Sequence, residues 1–535
     1  MTQIAVLLIL IPILTAIIIY LIPNEKASYL AFISQIVLTI LAIVYYQYFT
    51  PNYEDTLFVF GSWDDRIGIS LSNDRLSMSF VFLALFTWWM IIIYTFNTKQ
   101  SNRVFLFFLL FLQGVFLGII MTNDLFNMFV FLELATILIT ILIVFKKESD
   151  SFRSGIYYII FNTAGMLTFL IGVILIYFIF GTINILAIKE MMPLYGDSVA
   201  ARFAYVCLMT GISVKAALFP VFMWLPKAHG VAQSAISALL SGLVVKSGLY
   251  LFIRVNEMYA GADYNYTTFF FAMGTLTAIS GVVFAVSQKD MKQILAYHTV
   301  SQVGIMMMGL SSKDPLVYYG GLLHVFNHAL FKSLLFLGAG VIISVYRSKK
   351  VADIRGVAKT MPWVTTMMLI GMLSITGAPI FNGFISKSIL STGFTSGSFE
   401  YWLLFLVNIG TATSFVKMSQ IFFGEPVLSY PMFRKRENFA LMGFGLMCVV
   451  AGNLTIPLSQ GYFGVDISFV TVFSFNKFVD YVMTLAAGYA LYSLVVKPDL
   501  WPIKTVREAR LRFGTANAAF LALFATMSVY FVFIA

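Results

Sequence analysis

Few ionisable residues fall inside the long apolar runs of this chain. They are Glu133, Lys215, Lys246, His298, His324, His328, Lys332, Lys387, Lys417, Lys477 and Asp480. An ammonium at mid-bilayer depth costs about 2.5–3.5 kcal/mol on insertion scales, so lysines kept there imply a use. Lys215 and Lys246 occupy the middles of two successive runs, in FAYVCLMTGISVKAALFPVFMWLPKAHGVAQSAISALLSGLVVKSGLYLFIR. Glu133 lies near mid-depth of NDLFNMFVFLELATILITILIVF, and a lysine beside it would favour its charged form. The expected partner is Lys215. A static ion pair fixing helix packing is the plain alternative, weakened because buried pairs often add little net stability.

His324, His328 and Lys332 recur at i, i+4 and i+8, which places them on one stripe of a helix. A proton relay needs groups that titrate near neutrality at hydrogen-bond or single-water spacing. Histidine meets that need directly, and a buried lysine can join it. The alternative is a pair of satisfied histidines in a helix interface. Two histidines at i, i+4 can also hold zinc, but no third acidic or thiol ligand accompanies them, so no metal is expected. His298 suits a structural hydrogen bond as well as a relay. Lys417 either extends the row to one surface or snorkels, Lys477 and Asp480 can pair locally, and Asp124 can simply cap its helix.

These groups need elements to hold them at depth. The 535 residues are 60% hydrophobic and 11% charged, with a mean hydropathy of +0.90. Apolar runs of about 20 residues recur along the whole length, so the fold class is an all-α polytopic membrane protein. About 14–16 transmembrane helices are expected, and about 16 fit the runs 4–22, 29–48, 75–95, 104–121, 124–145, 155–180, 203–225, 231–254, 267–286, 292–310, 316–345, 361–390, 401–423, 437–457, 473–496 and 515–535. The first run lacks a basic leader and a cleavage site and reads as a retained span. Between the second and third spans, TLFVFG and RIGISLS flank a polar turn and predict a β-hairpin on the outside.

The net charge of +10 follows from topology rather than from nucleic-acid binding. Odd-numbered connections gather Lys146, Lys147, Lys349, Lys350, Arg434, Lys435, Arg436, Lys504, Arg507, Arg510 and Arg512, whereas even ones hold little. Odd connections are then cytoplasmic and both termini lie outside a cell membrane. Residues 503–513 predict a short basic helix on the cytoplasmic surface. Cys207 and Cys448 sit in separate apolar runs and form no C-x-x-C pair, which excludes iron–sulfur ligation. No quinone, flavin or metal motif is visible, and no cofactor is expected.

Spans 4–8 and 9–13 each hold five helices. An odd number forces the two sets to enter the membrane from opposite sides, the arithmetic of an inverted repeat. Helix 7 carries Lys215 near Pro220, and helix 12 carries Pro379 and Lys387 in SITGAPIFNGFISK. Each proline should break its helix beside a lysine, pointing to a midplane ion site. The expected divisions are 1–103, three spans with the hairpin; 104–254, the first repeat; 267–423, the second; and 437–535, the C-terminal spans with a basic connection.

The motifs VKAALFPVFMWLPKAH, LLSGLVVKSGLYLFIR, DMKQILAYHTVSQVG and LLHVFNHALFKSLLFLGAG resemble the antiporter-like subunits of the proton-conducting membrane transporter family. That family includes the large membrane subunits of respiratory complex I, the A and D subunits of Mrp cation/proton antiporters, and relatives in membrane-bound hydrogenases. NDLFNMFVFLEL and TGAPIFNGFISK look closest to the D-type Mrp subunit or its hydrogenase relatives. The resemblance implies that Glu133, Lys215, Lys246, His324, His328, Lys332 and Lys387 form a midplane proton row. It implies partners among other membrane subunits, transport of protons against Na+ or K+, and no enzymatic activity by the chain alone. Gln233 stands where the family often has proline, and the basic C-terminal segment is longer than a minimal D-type chain needs. A proton pump driven by a separate redox arm and a secondary solute transporter remain the alternatives; the long charged row suits ions better than a solute pocket.

Overall fold

The computed structural model describes residues 3–49, 56–63, 68–98, 101–262, 264–394, 397–426, 432–458, 465, 467–468, 472–509 and 513–534. The acidic residues Glu54, Asp55, Asp64 and Asp65 of the hairpin, and Arg510 and Arg512 of the basic segment, lie outside the described residues. The helices are α1 (Gln3–Leu21), α2 (Asn24–Phe49), α3 (Arg75–Thr95), α4 (Arg103–Met121), α5 (Leu125–Val144), α6 (Ser149–Phe180), α7 (Ile185–Tyr195), α8 (Val199–Lys215), α9 (Trp224–Val231), α10 (Ser234–Leu239) and α11 (Val245–Met258). They continue with α12 (Tyr266–Ser287), α13 (Met291–Leu310), α14 (Pro315–Tyr346), α15 (Val357–Thr360), α16 (Pro362–Thr376), α17 (Asn382–Thr392), α18 (Phe399–Ser419), α19 (Lys435–Leu458), α20 (Phe475–Leu491), α21 (Trp501–Glu508) and α22 (Phe513–Ser528).

Among the described residues, twelve helices are long and apolar enough to cross a membrane. They account for twelve of the expected spans. The other four coincide with α8–α9, α13, α16–α17 and α19. Two of these are interrupted, α13 carries Lys292, Gln293, His298 and Gln302, and the side chains of α19 are described only to Asn453. The short helix α7 was not among the expected elements; its charges and its proline at 193 hide it from a hydropathy reading. The predicted hairpin forms from β1 (Thr56–Val59) and β2 (Ser70–Asn73), antiparallel with Thr56 opposite Asn73 and Val59 opposite Ser70.

The chain divides into two compact units. The first comprises Met1–Ala216, Leu243–Asn265 and Phe513–Ala535, and the second Ala217–Gly242 and Tyr266–Arg512. In the first unit, Gln35 on α2 and Gln113 on α4 exchange two buried amide hydrogen bonds at 2.7 and 2.9 Å. Each amide thereby satisfies the other where no water is at hand. Asp74 caps α3, accepting from the Ser77 amide at 2.7 Å while the Ser77 hydroxyl accepts from Asp74 N–H. Its carboxylate also takes two bonds of 2.6 Å from Arg254 on α11. The last helix, α22, packs on α8, with the Phe203 and Phe524 rings 5.9 Å apart.

In the second unit α12 and α13 pack nearly backbone to backbone. A Cβ on Gly281 would come within 2.3 Å of the Ser301 amide nitrogen, so only glycine permits this approach. Asp290 caps α13 and Asp314 caps α14, where Pro315 fills the first turn and has no N–H that would need an acceptor.

A backbone pattern recurs between the units. In the first, Asp124 bridges Asn184, with Leu125 N donating to Ile183 O and Ile185 N to Asn123 O. In the second, Asp290 bridges Lys350, with Met291 N donating to Lys349 O and Val351 N to Lys289 O. Every position shifts by the same 166 residues (290 minus 124, 350 minus 184). Both aspartates cap the second helix of a five-helix set, and both bridges reach the segment after the third. This is the local signature of a repeated fold.

Both proline-bearing helices are broken. α8 ends at Lys215 and α9 begins at Trp224; α16 ends at Thr376 and α17 begins at Asn382. Each break contains a non-glycine residue with positive φ, Ala217 at 57° and Ile380 at 81°. Such backbone is costly for a residue with a side chain, and for β-branched Ile380 especially so.

Candidate functional site

In the first unit Glu133 lies on α5 and Lys215 in the last turn of α8. Lys215 is buried, and its Nζ donates to the Thr136 hydroxyl at 2.8 Å and towards Leu132 O at 3.5 Å. Glu133 Oε2 accepts from the Thr163 hydroxyl of α6 at 3.2 Å, and its Oε1 has no hydrogen-bond partner among the described residues. The expected ion pair is therefore open: Lys215 rests on the hydroxyl of Thr136 on α5, and Glu133 on that of Thr163 on α6. Lys246 is fully buried on α11, two residues past a π-helical turn at Leu240–Val244. Such turns widen a helix locally and cluster at functional positions.

In the second unit α14 brings His324, His328 and Lys332 onto one buried stripe, as the spacing requires. His324 and His328 have ring centroids 6.4 Å apart. Lys332 Nζ donates to Leu295 O on α13 at 2.6 Å. His324 Nε2 lies 3.0 Å from Gln302 Oε1 and its Nδ1 lies 2.9 Å from the Ser386 hydroxyl. The Gln302 amide can present either its oxygen or its nitrogen to Nε2. The hydroxyl at Nδ1 can donate to a neutral ring or accept from a charged one, so His324 is held in either protonation state.

Lys387 sits within α17. Its Nζ donates to Ile375 O at 2.7 Å and to Asn408 Oδ1 at 2.9 Å. Ile375 O belongs to the last turn of α16, where carbonyls lack intrahelical partners, so the ammonium meets the negative end of the broken helix. Asn327 and Asn382 exchange side-chain-to-carbonyl bonds at 2.9 and 3.3 Å, fastening α17 to the histidine helix.

The remaining candidates divide by role. Asp124 caps α5, accepting from Asn127 N–H at 2.6 Å. Lys417 donates to Val286 O and Gln288 O, both at 2.6 Å, and so caps the C-terminal end of α12. His298 is buried within electrostatic range of Lys332, Lys417 and Lys387. Neither of its ring nitrogens has a hydrogen-bond partner among the described residues, and the ring lies 5.1 Å from that of Phe415. Pro220 and Pro379 both fall in the helix breaks. Lys477 and Asp480 form no ion pair among the described residues.

Residues 122–415, more than half of the chain, match the family described as NADH:quinone oxidoreductase/Mrp antiporter, TM. The chain belongs to that family. This antiporter-like membrane protein is 33% identical over 337 residues to the D subunit of the Na(+)/H(+) antiporter of Alkalihalophilus pseudofirmus, covering 62% of the chain and 68% of the relative. It is 27% identical over 473 residues to the putative antiporter protein mnhD2 of Staphylococcus aureus, covering 86% and 94%. Its fold is that of a chain in an archaeal membrane-bound sulfane sulfur reductase, with a TM-score of 0.81 at 23% identity and coverage of 91% and 99%. Chains of the Mrp complex from Dietzia sp. (TM-score 0.75, 21% identity, coverage 95% and 99%) and of respiratory complex I from Thermus thermophilus (0.76, 21%, 91% and 99%) share it.

Several residues of this antiporter-family protein escaped the sequence reading because they carry no charge or sit in a connection. Thr136 and Thr163 hold Lys215 and Glu133, while Gln302, Ser386 and Asn408 hold His324 and Lys387. Gln302 follows His298 by one turn on α13, a spacing that could have drawn notice. His229, in the α9 segment, is buried with its ring stacked 4.6 Å from that of Phe336. Lys292, the first residue of an expected span, is buried and donates to Ala232 O at 2.8 Å.

Proposed function

We propose that this protein moves protons along a midplane row and exchanges them for Na+ or K+, as the D-type subunit of an Mrp-like multisubunit complex in the cell membrane. The observation that carries this reading is how the buried lysines are held. Lys215 and Lys387 each rest on neutral oxygens rather than on a fixed carboxylate. A lysine locked in a close ion pair cannot easily give up its proton, whereas one on hydroxyl and carbonyl oxygens can. The A. pseudofirmus relative, named as part of a Na(+)/H(+) antiporter, supports the same reading.

The proton row comprises Glu133, Lys215, Lys246, His324, His328, Lys332 and Lys387. When the Glu133 carboxylate approaches Lys215 it stabilises the ammonium. When the two separate, Lys215 releases its proton towards Lys246 and the histidine stripe, and Lys387 exchanges with one face of the membrane. Residues 104–254 and 267–423 act as the two repeats that place these groups. The chain contributes no cofactor chemistry, and both termini face outside.

A second reading, a proton pump driven by a separate redox arm, draws on the likeness to the archaeal respiratory complex. Vesicles carrying the native complex separate the two. A Na+ or K+ pulse that moves protons without an electron donor supports antiport. Proton movement only with a donor and acceptor present supports the pump.

A further inference from the structure

A groove of about 690 Å³ runs along α12 in the second unit, bounded by the start of α14, the end of α17 and the start of α18. Its walls are mainly apolar, with Phe271, Ala272 and Leu276 on α12 facing Val317 and Phe394. The Phe271 and Phe394 rings meet edge to face at 6.1 Å. A Cβ on Gly393 would collide with Val317, so the end of α17 is sealed against α14. Ala272, Leu276 and Phe399 are exposed, so the groove opens sideways, towards the hydrocarbon that surrounds membrane-spanning helices.

Polar groups stand in this apolar wall. Thr267 and Thr275 Oγ1 are shut off from solvent and have no hydrogen-bond partner among the described residues. Thr277, on the same helix, meets its need by donating to Met273 O at 2.6 Å. An unmet hydroxyl beside hydrocarbon is costly, so both threonines call for an acceptor from outside the chain. They lie eight residues apart, about 12 Å along the helix, so one ligand must offer oxygens at two depths. The backbone of a partner helix is satisfied internally and offers few. A phospholipid offers both its phosphate and its ester oxygens.

The rim selects the headgroup. Asp314 and Glu400 line the groove, and no lysine or arginine does among the described residues. Lys313 is exposed beside Asp314, and one ammonium against two carboxylates leaves the rim net negative. Asp314 Oδ1 is taken by the amides of Leu316 and Val317, at 2.9 and 3.0 Å, which leaves its other oxygen for a ligand. Such a rim favours a headgroup that ends in an ammonium and disfavours one whose only charge is the phosphate.

We propose that this groove holds one phospholipid with a primary ammonium headgroup, of the phosphatidylethanolamine class. The ammonium donates to Asp314 and Glu400. The phosphate and ester oxygens accept from the threonine hydroxyls, and one acyl chain follows α12 past Phe271 to Leu276. The lipid thereby braces the end of α17 against α12 and α14.

The test uses the whole complex reconstituted with phosphatidylethanolamine carrying a photoreactive acyl chain, and separately with the matching phosphatidylglycerol. Mass spectrometry reads the labelled peptides. The ethanolamine lipid is expected to label the peptides holding Phe271–Leu276 and Phe394, at least about tenfold more than the glycerol lipid does. Asp314→Asn combined with Glu400→Gln should lower that labelling about tenfold, while asparagine still caps α14 and keeps the fold. Equal labelling by the two lipids overturns the headgroup assignment. Native labelling in the double variant overturns the role of the carboxylates. Absence of labelling at these peptides with either lipid overturns the site, and a cross-link from Ala272→Cys to another subunit would name a protein as the occupant instead. The readout is binding, so it stands apart from which cation the complex exchanges.

Discussion

Lys215 Nζ lies 2.8 Å from the hydroxyl of Thr136, three residues along α5 from Glu133. The carboxylate is thus close enough to be an alternative partner but is held by Thr163 at 3.2 Å. Two neutral hydroxyls hold the two groups, which form no direct ion pair among the described residues. Thr136→Val removes the resting place of Lys215 and biases it towards Glu133. Losing this buried hydrogen bond should cost about 1–2 kcal/mol, or roughly tenfold in exchange rate, while Thr136→Ser stays close to the native rate. Stopped-flow measurement of cation-driven proton exchange in vesicles checks both variants.

The second broken helix depends on one close approach. A Cβ on Gly383 would fall 1.8 Å from Ser374 O, across the gap between α16 and α17. Gly383→Ala must force the two half-helices apart, at a cost of about 1–3 kcal/mol in stability. Because Lys387 reaches Ile375 O across the same gap, exchange should fall with it. Thermal unfolding in detergent and the vesicle assay read the two effects separately.

Arg254 clasps Asp74 through two bonds of 2.6 Å and touches Glu257 at 2.9 Å. The pair ties the cap of α3 to α11 within the first unit. The Arg254 and Asp74 side chains are 17% and 26% exposed, so its contribution should lie between surface and fully buried pairs, about 1–3 kcal/mol. A double-mutant cycle on unfolding with Arg254→Gln and Asp74→Asn should give a coupling energy in that range. Additive effects would show that the clasp contributes nothing beyond its separate groups.

The short helix α21 is anchored by charge. Arg507 donates to both oxygens of Asp499 at 2.8 and 3.0 Å, and Lys289 adds a bond at 3.0 Å. The Arg507 guanidinium, helped by Lys289, holds the Asp499 carboxyl well below the usual carboxylate range. A depressed carboxyl contributes stability that is present above its unfolded value of 3.8 and lost as pH falls below it. Docking of α21 should therefore stay constant between about pH 5 and 8 and loosen only in stronger acid. Trp501 fluorescence follows this, and Asp499→Asn should show the loosened signal at every pH.

The sequence made the helices and the charged row legible for one physical reason: in lipid, apolar length and costly charges are the strongest signals a chain carries. The stripe of His324, His328 and Lys332 follows from helical spacing alone. Pro220 and Pro379 marked both breaks because a missing donor disrupts any helix. The neutral partners were hidden, since a threonine such as Thr136 or an asparagine such as Asn408 differs little in composition from dozens of others. Only tertiary placement distinguishes them. Lys417 could extend the row or snorkel from its sequence position, and its bonds to the end of α12 appear only in the fold. The constant shift of 166 residues between the bridges at Asp124 and Asp290 lies in backbone pairing, which no side-chain pattern reveals.

The central claim is that the openable contact between Glu133 and Lys215 drives proton movement. Its most direct test is cation-driven proton flux in vesicles containing the complete complex with Lys215→Ala or Glu133→Ala. The account predicts that each variant assembles normally and loses at least about a hundredfold of the flux. Native flux in both variants would contradict it.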